Sequence, residues 1–196
     1  MTSPKKALQS DGVVLLRVGE YPYSTEEIDE LIELCLTLPH PKGLGEENRV
    51  GVGRILVDPV DIVRAEMGQQ LPEVEAPETA RKILDIAASK KAMEFWADCF
   101  GLEEARLRRA QTNFLYPGGE VGFHNDHESN PNYRISIVIG LSDDYTGGDF
   151  IARVTPDDER RIRVNRAEIL VAKPELQHAV SEVKSGKRMS LILFMS

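Results

Sequence analysis

Residues 121–126, Val121-Gly122-Phe123-His124-Asn125-Asp126, end a short strand-like run on an imidazole and a carboxylate two positions apart. In an extended chain alternate side chains point to the same side, so His124 and Asp126 face a common point. One His and one Asp so spaced can take adjacent positions on a single metal ion. A second His from a distant strand would complete a facial triad and leave three positions open on an octahedral ion. His178 is the candidate third ligand. A lone His-x-Asp is common on solvated surfaces, so the reading depends on what surrounds it.

From Ala105 onward the chain reads as short strands separated by turn residues. The strand-like runs are 107–116, 121–124, 133–141, 149–154, 161–164, 168–172, 178–183 and 188–194. Pro117-Gly118-Gly119, Gly147-Gly148 and Lys184-Ser185-Gly186-Lys187 supply tight connections. That pattern predicts a jelly roll or small barrel. The texture differs before Gly101. After a strand over 13–18, Ser24 and Glu27 form a capping-box pair, and Ile28, Leu31, Ile32, Cys35 and Leu36 follow at helical spacing until Pro39 and Pro41. Residues 71–78, rich in Pro and Glu, read as an exposed loop, with a lid as the less favoured alternative. Residues 78–100 place Ile83, Ile86, Met93, Trp96 and Phe100 on one stripe that ends at Gly101, a suitable C-terminal cap. Trp96 is assigned to packing. The expected fold is mainly β with N-terminal helices: one domain over 1–196, with a helical support region over 1–101 and a β core over 102–196.

At 196 residues, with 41% hydrophobic and 29% charged side chains, the chain has an ordinary soluble composition and enough length for a sizeable core. A net charge of -8 offers no general attraction to phosphate backbones, so nucleic acid is disfavoured as a partner. Cys35 and Cys99 fall on apolar faces of predicted helices and read as free thiols. Nothing over 1–12 resembles a signal sequence, and no stretch is long and apolar enough to span a bilayer; the expectation is a cytoplasmic protein with no membrane partner.

Arg188 supplies the independent support. It lies ten residues after His178, beyond the turn at Ser185-Gly186, on the apolar last strand. A permanently charged guanidinium heading into a core demands an anionic partner. A dicarboxylate chelating the metal would be that partner, its far carboxylate matched to the guanidinium fork. Ser190 shares the strand face and could add a hydroxyl donor. Standing alone, Arg188 would read as a peripheral residue paired with a surface acid.

Over roughly 108–194 the chain resembles the prolyl-4-hydroxylase-like branch of the 2-oxoglutarate/iron(II) oxygenases. Tyr116-Pro117-Gly118-Gly119 is similar to the family's Tyr-x-x-Gly, His124-x-Asp126 to its metal motif, Arg134 and Ser136 to its Arg and Thr/Ser strand, and Gly147-Gly148-Asp149-Phe150 to its Gly-Gly-acidic turn. His178 and Arg188 have its distal spacing. The resemblance implies a double-stranded β-helix buttressed by helices, iron(II) on His124, Asp126 and His178, and 2-oxoglutarate anchored by Arg188. It also implies O2-dependent hydroxylation of a substrate C–H bond with release of succinate and CO2. Tyr116 could hydrogen-bond the keto acid or merely line the barrel, the former being preferred; Ser136 and Ser190 are further candidate co-substrate contacts. Gly140 stands where the family often has an aromatic. Because Asp126 is retained, where related halogenases have a small residue, hydroxylation is preferred over halogenation. His127 is expected to face away from the metal, and His40 to be a surface or loop residue.

The leading expectation is therefore a hydroxylase of a small molecule, amino acid or peptide. Oxidative demethylation of nucleic acid would need a basic groove and stacking aromatics, whereas only 6% of the chain is aromatic. A non-catalytic metal-binding or sensor jelly roll is the third reading, and the Arg188 anchor argues against it.

Overall fold

The computed structural model describes residues 4–39, 49–69 and 71–196. His40 and Pro41 lie outside the described residues. The spine is an antiparallel sheet in the order β1 (Val13–Leu16), β9 (Ile169–Ala172), β5 (Ile135–Gly140), β12 (Arg188–Met195), β3 (Leu107–Leu115), β2 (Val50–Leu56). A second sheet runs β4 (Val121–His124), β10 (Gln177–Val180), β7 (Phe150–Thr155), β8 (Asp158–Ile162), and a two-stranded ribbon pairs β6 (Tyr145–Gly147) with β11 (Val183–Gly186). The result is a jelly-roll core of the double-stranded β-helix type.

Period-two alternation sorts the central strands into two chemistries. On β12, Leu191, Leu193 and Met195 enter the large core beneath the helices, while Arg188, Ser190, Ile192 and Phe194 face an internal cavity. On β3, Ala110 joins the core, while Arg109, Gln111, Asn113 and Leu115 face the cavity. The register sets Arg188 opposite Leu115, Ser190 opposite Asn113, Ile192 opposite Gln111 and Phe194 opposite Arg109. A slip of one residue would put the guanidinium groups into the core and the leucines into the cavity, so the buried face pins the pairing. A second apolar cluster, including Val138, Leu170 and Ala172 from the large sheet and Phe150 and Ala152 from the small one, holds the two sheets together.

The helices cover the outer face of the large sheet. The capping box forms at the start of α2 (Thr25–Thr37): Ser24 Oγ accepts from Glu27 N–H, and the Glu27 carboxylate accepts from Ser24 N–H at 2.7 Å. Ile28, Leu31, Ile32 and Cys35 are buried, whereas Leu36, one step further round the helix, is exposed. The stripe over 78–100 is divided between two helices, α4 (Pro77–Ala87) and α5 (Lys90–Phe100), because Ser89 Oγ accepts from Ala92 N–H and caps a new start. Trp96 has no exposed surface and stacks on Phe100 with Phe95 edge-on. Gly101, at φ 70°, closes α5 in the left-handed conformation.

Other elements depart from the sequence reading. The polar start forms a helix, α1 (Pro4–Asp11), that buries Leu8. Asp58 caps α3 (Pro59–Glu66) by accepting from Val60 N–H, with Pro59 at its first position. The N-terminal half gives two strands to the large sheet: β1, within the run expected over 13–18, and β2, which was not expected. Residues 183–186, expected to lie partly in a turn, pair as β11 instead. Cys35 is buried, Cys99 half-buried, and both are free. Among the described residues no helix is long and apolar enough to cross a membrane.

Candidate metal centre

Strands β4 and β10 bring two imidazoles together, for His124 and His178 are direct cross-strand partners with ring centroids 4.3 Å apart. Each Nδ1 lies 2.9 Å from the carbonyl oxygen two residues earlier, Gly122 for His124 and Leu176 for His178. An Nδ1–H donated to that carbonyl leaves Nε2 with a free lone pair, the form that binds a metal. Asn125 is extended, so Asp126 stays on the same side as His124 before the chain enters a 3-10 turn over Asp126–Glu128. Asp126 and His127 N–H both donate to Pro174 carbonyl, at 2.9 and 3.1 Å, which locks this turn against the β9–β10 connection.

His124 Nε2 lies 3.8 Å from Asp126 Oδ1, and His178 Nε2 lies 3.9 Å from Asp126 Oδ2. The three ligand atoms fall within 4.8 Å of one another, close enough for one ion to touch all three. Burial, only partly opposed by Asp126, pushes the His178 imidazole below its ordinary pKa and favours the neutral ring. Phe150 stacks on His178 at 5.0 Å. His127 faces elsewhere, its Nδ1 3.9 Å from Glu175.

The triad lines a cavity of about 230 Å³, and the buried Arg188 lines the same cavity. Gly148, at φ 67°, makes room for it: a Cβ there would meet Arg188 Cδ at 3.0 Å. Arg188 Nη1 donates to Ser190 Oγ at 3.1 Å, and Tyr145, whose O–H donates to Val164 carbonyl, lies beside the guanidinium. Burial pulls Arg188 below its ordinary pKa, and Tyr145 opposes that. Its Nε has no hydrogen-bond partner, and among the described residues no carboxylate comes within ion-pair distance. A buried cation with an orphaned N–H, sharing a cavity with a three-donor metal set, fits a chelating dicarboxylate.

Ser190 lines the cavity, but Tyr116 and Ser136 do not. Tyr116 lies one residue beyond β3, where its N–H donates to Arg49 carbonyl and the chain turns away. Ser136 is buried on the inner face of β5, but it pairs with Phe194, six positions along β12 from Arg188. Arg134 is exposed and donates to Pro131 carbonyl at 3.4 Å. At Gly140 a Cβ would collide with the Asn165 carbonyl, so no larger residue fits. The sequence reading passed over Tyr145 and the polar inward positions of β3. Their signal is present in Arg109, Gln111 and Asn113, polar residues alternating with Ala110, Thr112 and Phe114.

No family model and no curated protein matches this sequence. Solved structures do match. A 2OG-Fe(II) oxygenase family oxidoreductase from Burkholderia pseudomallei is 26% identical, with a TM-score of 0.81 over 98% of this chain and 87% of that one. HygX from Streptomyces hygroscopicus, solved with nickel and 2-oxoglutarate bound, is 9% identical, with a TM-score of 0.68 over 100% of this chain and 87% of that one. A Trichoplax adhaerens prolyl hydroxylase in complex with a peptide fragment of the hypoxia inducible factor oxygen degradation domain is 12% identical, with a TM-score of 0.63 over 97% and 86%. The last two share the fold; the first also shares a quarter of its residues across nearly the whole chain. In its jelly-roll core and its clustered His124, Asp126 and His178, the chain is similar to the 2-oxoglutarate/iron(II)-dependent oxygenases.

Proposed function

We propose that His124, Asp126 and His178 hold one iron(II), that Arg188 and Ser190 bind the far carboxylate of 2-oxoglutarate, and that the enzyme hydroxylates a small molecule, amino acid or peptide. The observation that carries this reading is Arg188: a guanidinium 3% exposed, without a carboxylate partner among the described residues, lining the same cavity as the three metal-binding groups. A non-catalytic metal protein has no use for that cation. The relatives solved with nickel and 2-oxoglutarate, or with Fe3+ and alpha ketoglutarate, support the same choice of cofactor and co-substrate.

When bound, iron(II) with 2-oxoglutarate supplies the oxidising power that places one atom of O2 in the substrate and the other in succinate, with loss of CO2. The protein's part is position and exclusion of water. The Gly122 and Leu176 carbonyls hold the two imidazoles in one tautomer and orientation. Leu115, Val121, Val138 and Val180 give the cavity apolar walls. Asp126 fills the position that a halide would need, so the product is hydroxylated and not chlorinated.

We further propose one catalytic domain spanning both halves of the chain, working in the cytoplasm on a substrate other than nucleic acid. The test is succinate release from the iron-loaded protein against amino acids, peptides and natural-product scaffolds, with mass spectrometry of each substrate. Succinate formed in step with a gain of one oxygen atom supports the proposal. Tight 2-oxoglutarate binding with neither product across the panel counts against hydroxylation of these classes.

A further inference from the structure

Arg188 accounts for one end of the cavity; the other end holds a second guanidinium, Arg109, that the chemistry described so far does not use. Arg188 pairs with Leu115 and Arg109 with Phe194, six strand positions apart, or about 20 Å along the sheet. On the functional reading proposed above, a 2-oxoglutarate held at Arg188 has its other end committed to the metal ligands, so Arg109 is left for a different molecule.

Arg109, unlike Arg188, has an acid within ion-pair distance and Tyr133 beside it, yet neither completes its hydrogen bonding. Its nearest carboxylate, Asp61, lies 3.9 Å from Nη1, beyond hydrogen-bond length, and Asp61 is shared with Arg64 at 3.8 Å. Both Arg109 Nε and Asp61 Oδ2 are buried without hydrogen-bond partners. A second cation stands close by. Arg54, on β2 opposite Gln111, donates to Gln111 Oε1, and Gln111 passes the contact on by donating to Asn113 Oδ1 at 2.8 Å. Arg54 has no carboxylate within ion-pair distance among the described residues, and burial, followed by the like charge of Arg109, pulls it below its ordinary pKa. Two guanidiniums with one ill-placed acid make a local cationic wall in a chain of net charge -8.

We infer that Arg109, backed by the Arg54–Gln111–Asn113 chain, binds a carboxylate of the primary substrate, so that the enzyme acts on a small organic acid and discriminates against its neutral counterparts. A carboxylate there would take up the orphaned N–H of Arg109 through the guanidinium fork, while Gln111 and Asn113 offer amide contacts beside it. Anchoring one end of the substrate against this wall would hold a C–H bond toward the triad in a fixed pose.

The test uses the folded protein loaded with zinc(II) and saturating 2-oxoglutarate, so that Arg188 is occupied and no turnover occurs. The probes are N-acetyl amino acids, each compared with its own primary amide by ligand-observed NMR titration. For the best-binding pair the acid is expected to bind roughly 10-fold or more tightly than the amide. Arg109→Gln should abolish that preference while leaving the 2-oxoglutarate titration unchanged. Asp61→Asn, which removes the competing acid, should strengthen binding of the acid. Equal binding of acids and amides, no binding of any acid to the wild type, or a preference that survives Arg109→Gln would overturn the inference. The acid–amide comparison needs no variant, so it decides the question even if Arg109→Gln fails to fold. Failure of the underlying functional reading is distinguishable, because the metal-loaded wild type would then not bind 2-oxoglutarate at all.

Discussion

His124 and His178 face each other across the β4–β10 pair with ring centroids 4.3 Å apart, and both aim Nε2 at the Asp126 carboxylate. The Gly122 and Leu176 carbonyls, each 2.9 Å from an Nδ1, favour the tautomer that leaves Nε2 free for a metal. His124→Ala and Asp126→Ala should each abolish tight iron(II) binding, with losses exceeding the roughly 10–100-fold typical of a supporting partner. Isothermal calorimetry under anaerobic conditions measures this directly. Unchanged affinity in both variants would remove the triad from the account.

Asp126 is buried and its two oxygens lie toward the two different imidazoles, so on the proposed reading it would be a metal ligand and leave no place for a halide. In buffer containing chloride, mass spectrometry should find oxygenated product and no chlorinated product. A chlorinated product would reverse the assignment.

Trp96 contributes to the core and not to the cavity, being fully buried between Phe95 and Phe100. Trp96→Ala should destabilise the protein by about 3–5 kcal/mol. Circular dichroism against denaturant reads the shift, because this is the only tryptophan and its fluorescence is lost with it. The fraction that remains folded should bind metal as the wild type does.

The capping box of α2 predicts a pH signature. Glu27 is held below the usual carboxylate range, first by the Ser24 N–H and to a lesser degree by Lys91. A folded-state pKa below the unfolded value means that the stabilisation is full above the unfolded pKa of about 4.3 and is lost as pH falls through the folded value. The stability difference between wild type and Glu27→Gln should therefore be greatest near neutral pH, at a few tenths of a kcal/mol for so exposed a group, and vanish in acid. Ser24→Ala should cost about 1 kcal/mol at neutral pH. Paired urea titrations at pH 7 and pH 3 provide the comparison; a Glu27→Gln difference that grows in acid would contradict the reading.

What could be read from the sequence, and what could not, follows from the range of the interactions involved. Ser24 with Glu27, the Gly101 cap, the alternation along β12 and the His124-x-Asp126 spacing are local, so their residue types carry the signal without a partner in view. The division between α4 and α5 was hidden because Ile83, Ile86, Met93 and Trp96 keep a helical rhythm across Ala88 and Ser89, where no proline or glycine marks the stop. Strand β2 was hidden for the opposite reason. Gly51 and Gly53 suggest a turn, yet a Cβ at Gly53 would lie 2.6 Å from Thr112 Oγ1 and 2.8 Å from Pro39 carbonyl, so the glycine permits close packing within a strand. The position of Ser136 relative to Arg188 depends on the pairing of β5 with β12, and register is not written in either strand alone. Tyr145 sits on a strand of three residues, too short to show a period.

The central claim is that Arg188 anchors 2-oxoglutarate, and Arg188→Met separates that role from metal binding. The side chain is buried beside Ser190 and Tyr145, and removing one partner of a desolvated charge pair costs about 2–5 kcal/mol. Anaerobic titration of the iron(II)-loaded protein with 2-oxoglutarate, followed by the iron–keto-acid charge-transfer absorbance, should show apparent affinity falling roughly 30-fold or more in the variant while iron affinity is unchanged. Superimposable titration curves for wild type and variant would contradict the account and leave Arg188 a structural residue.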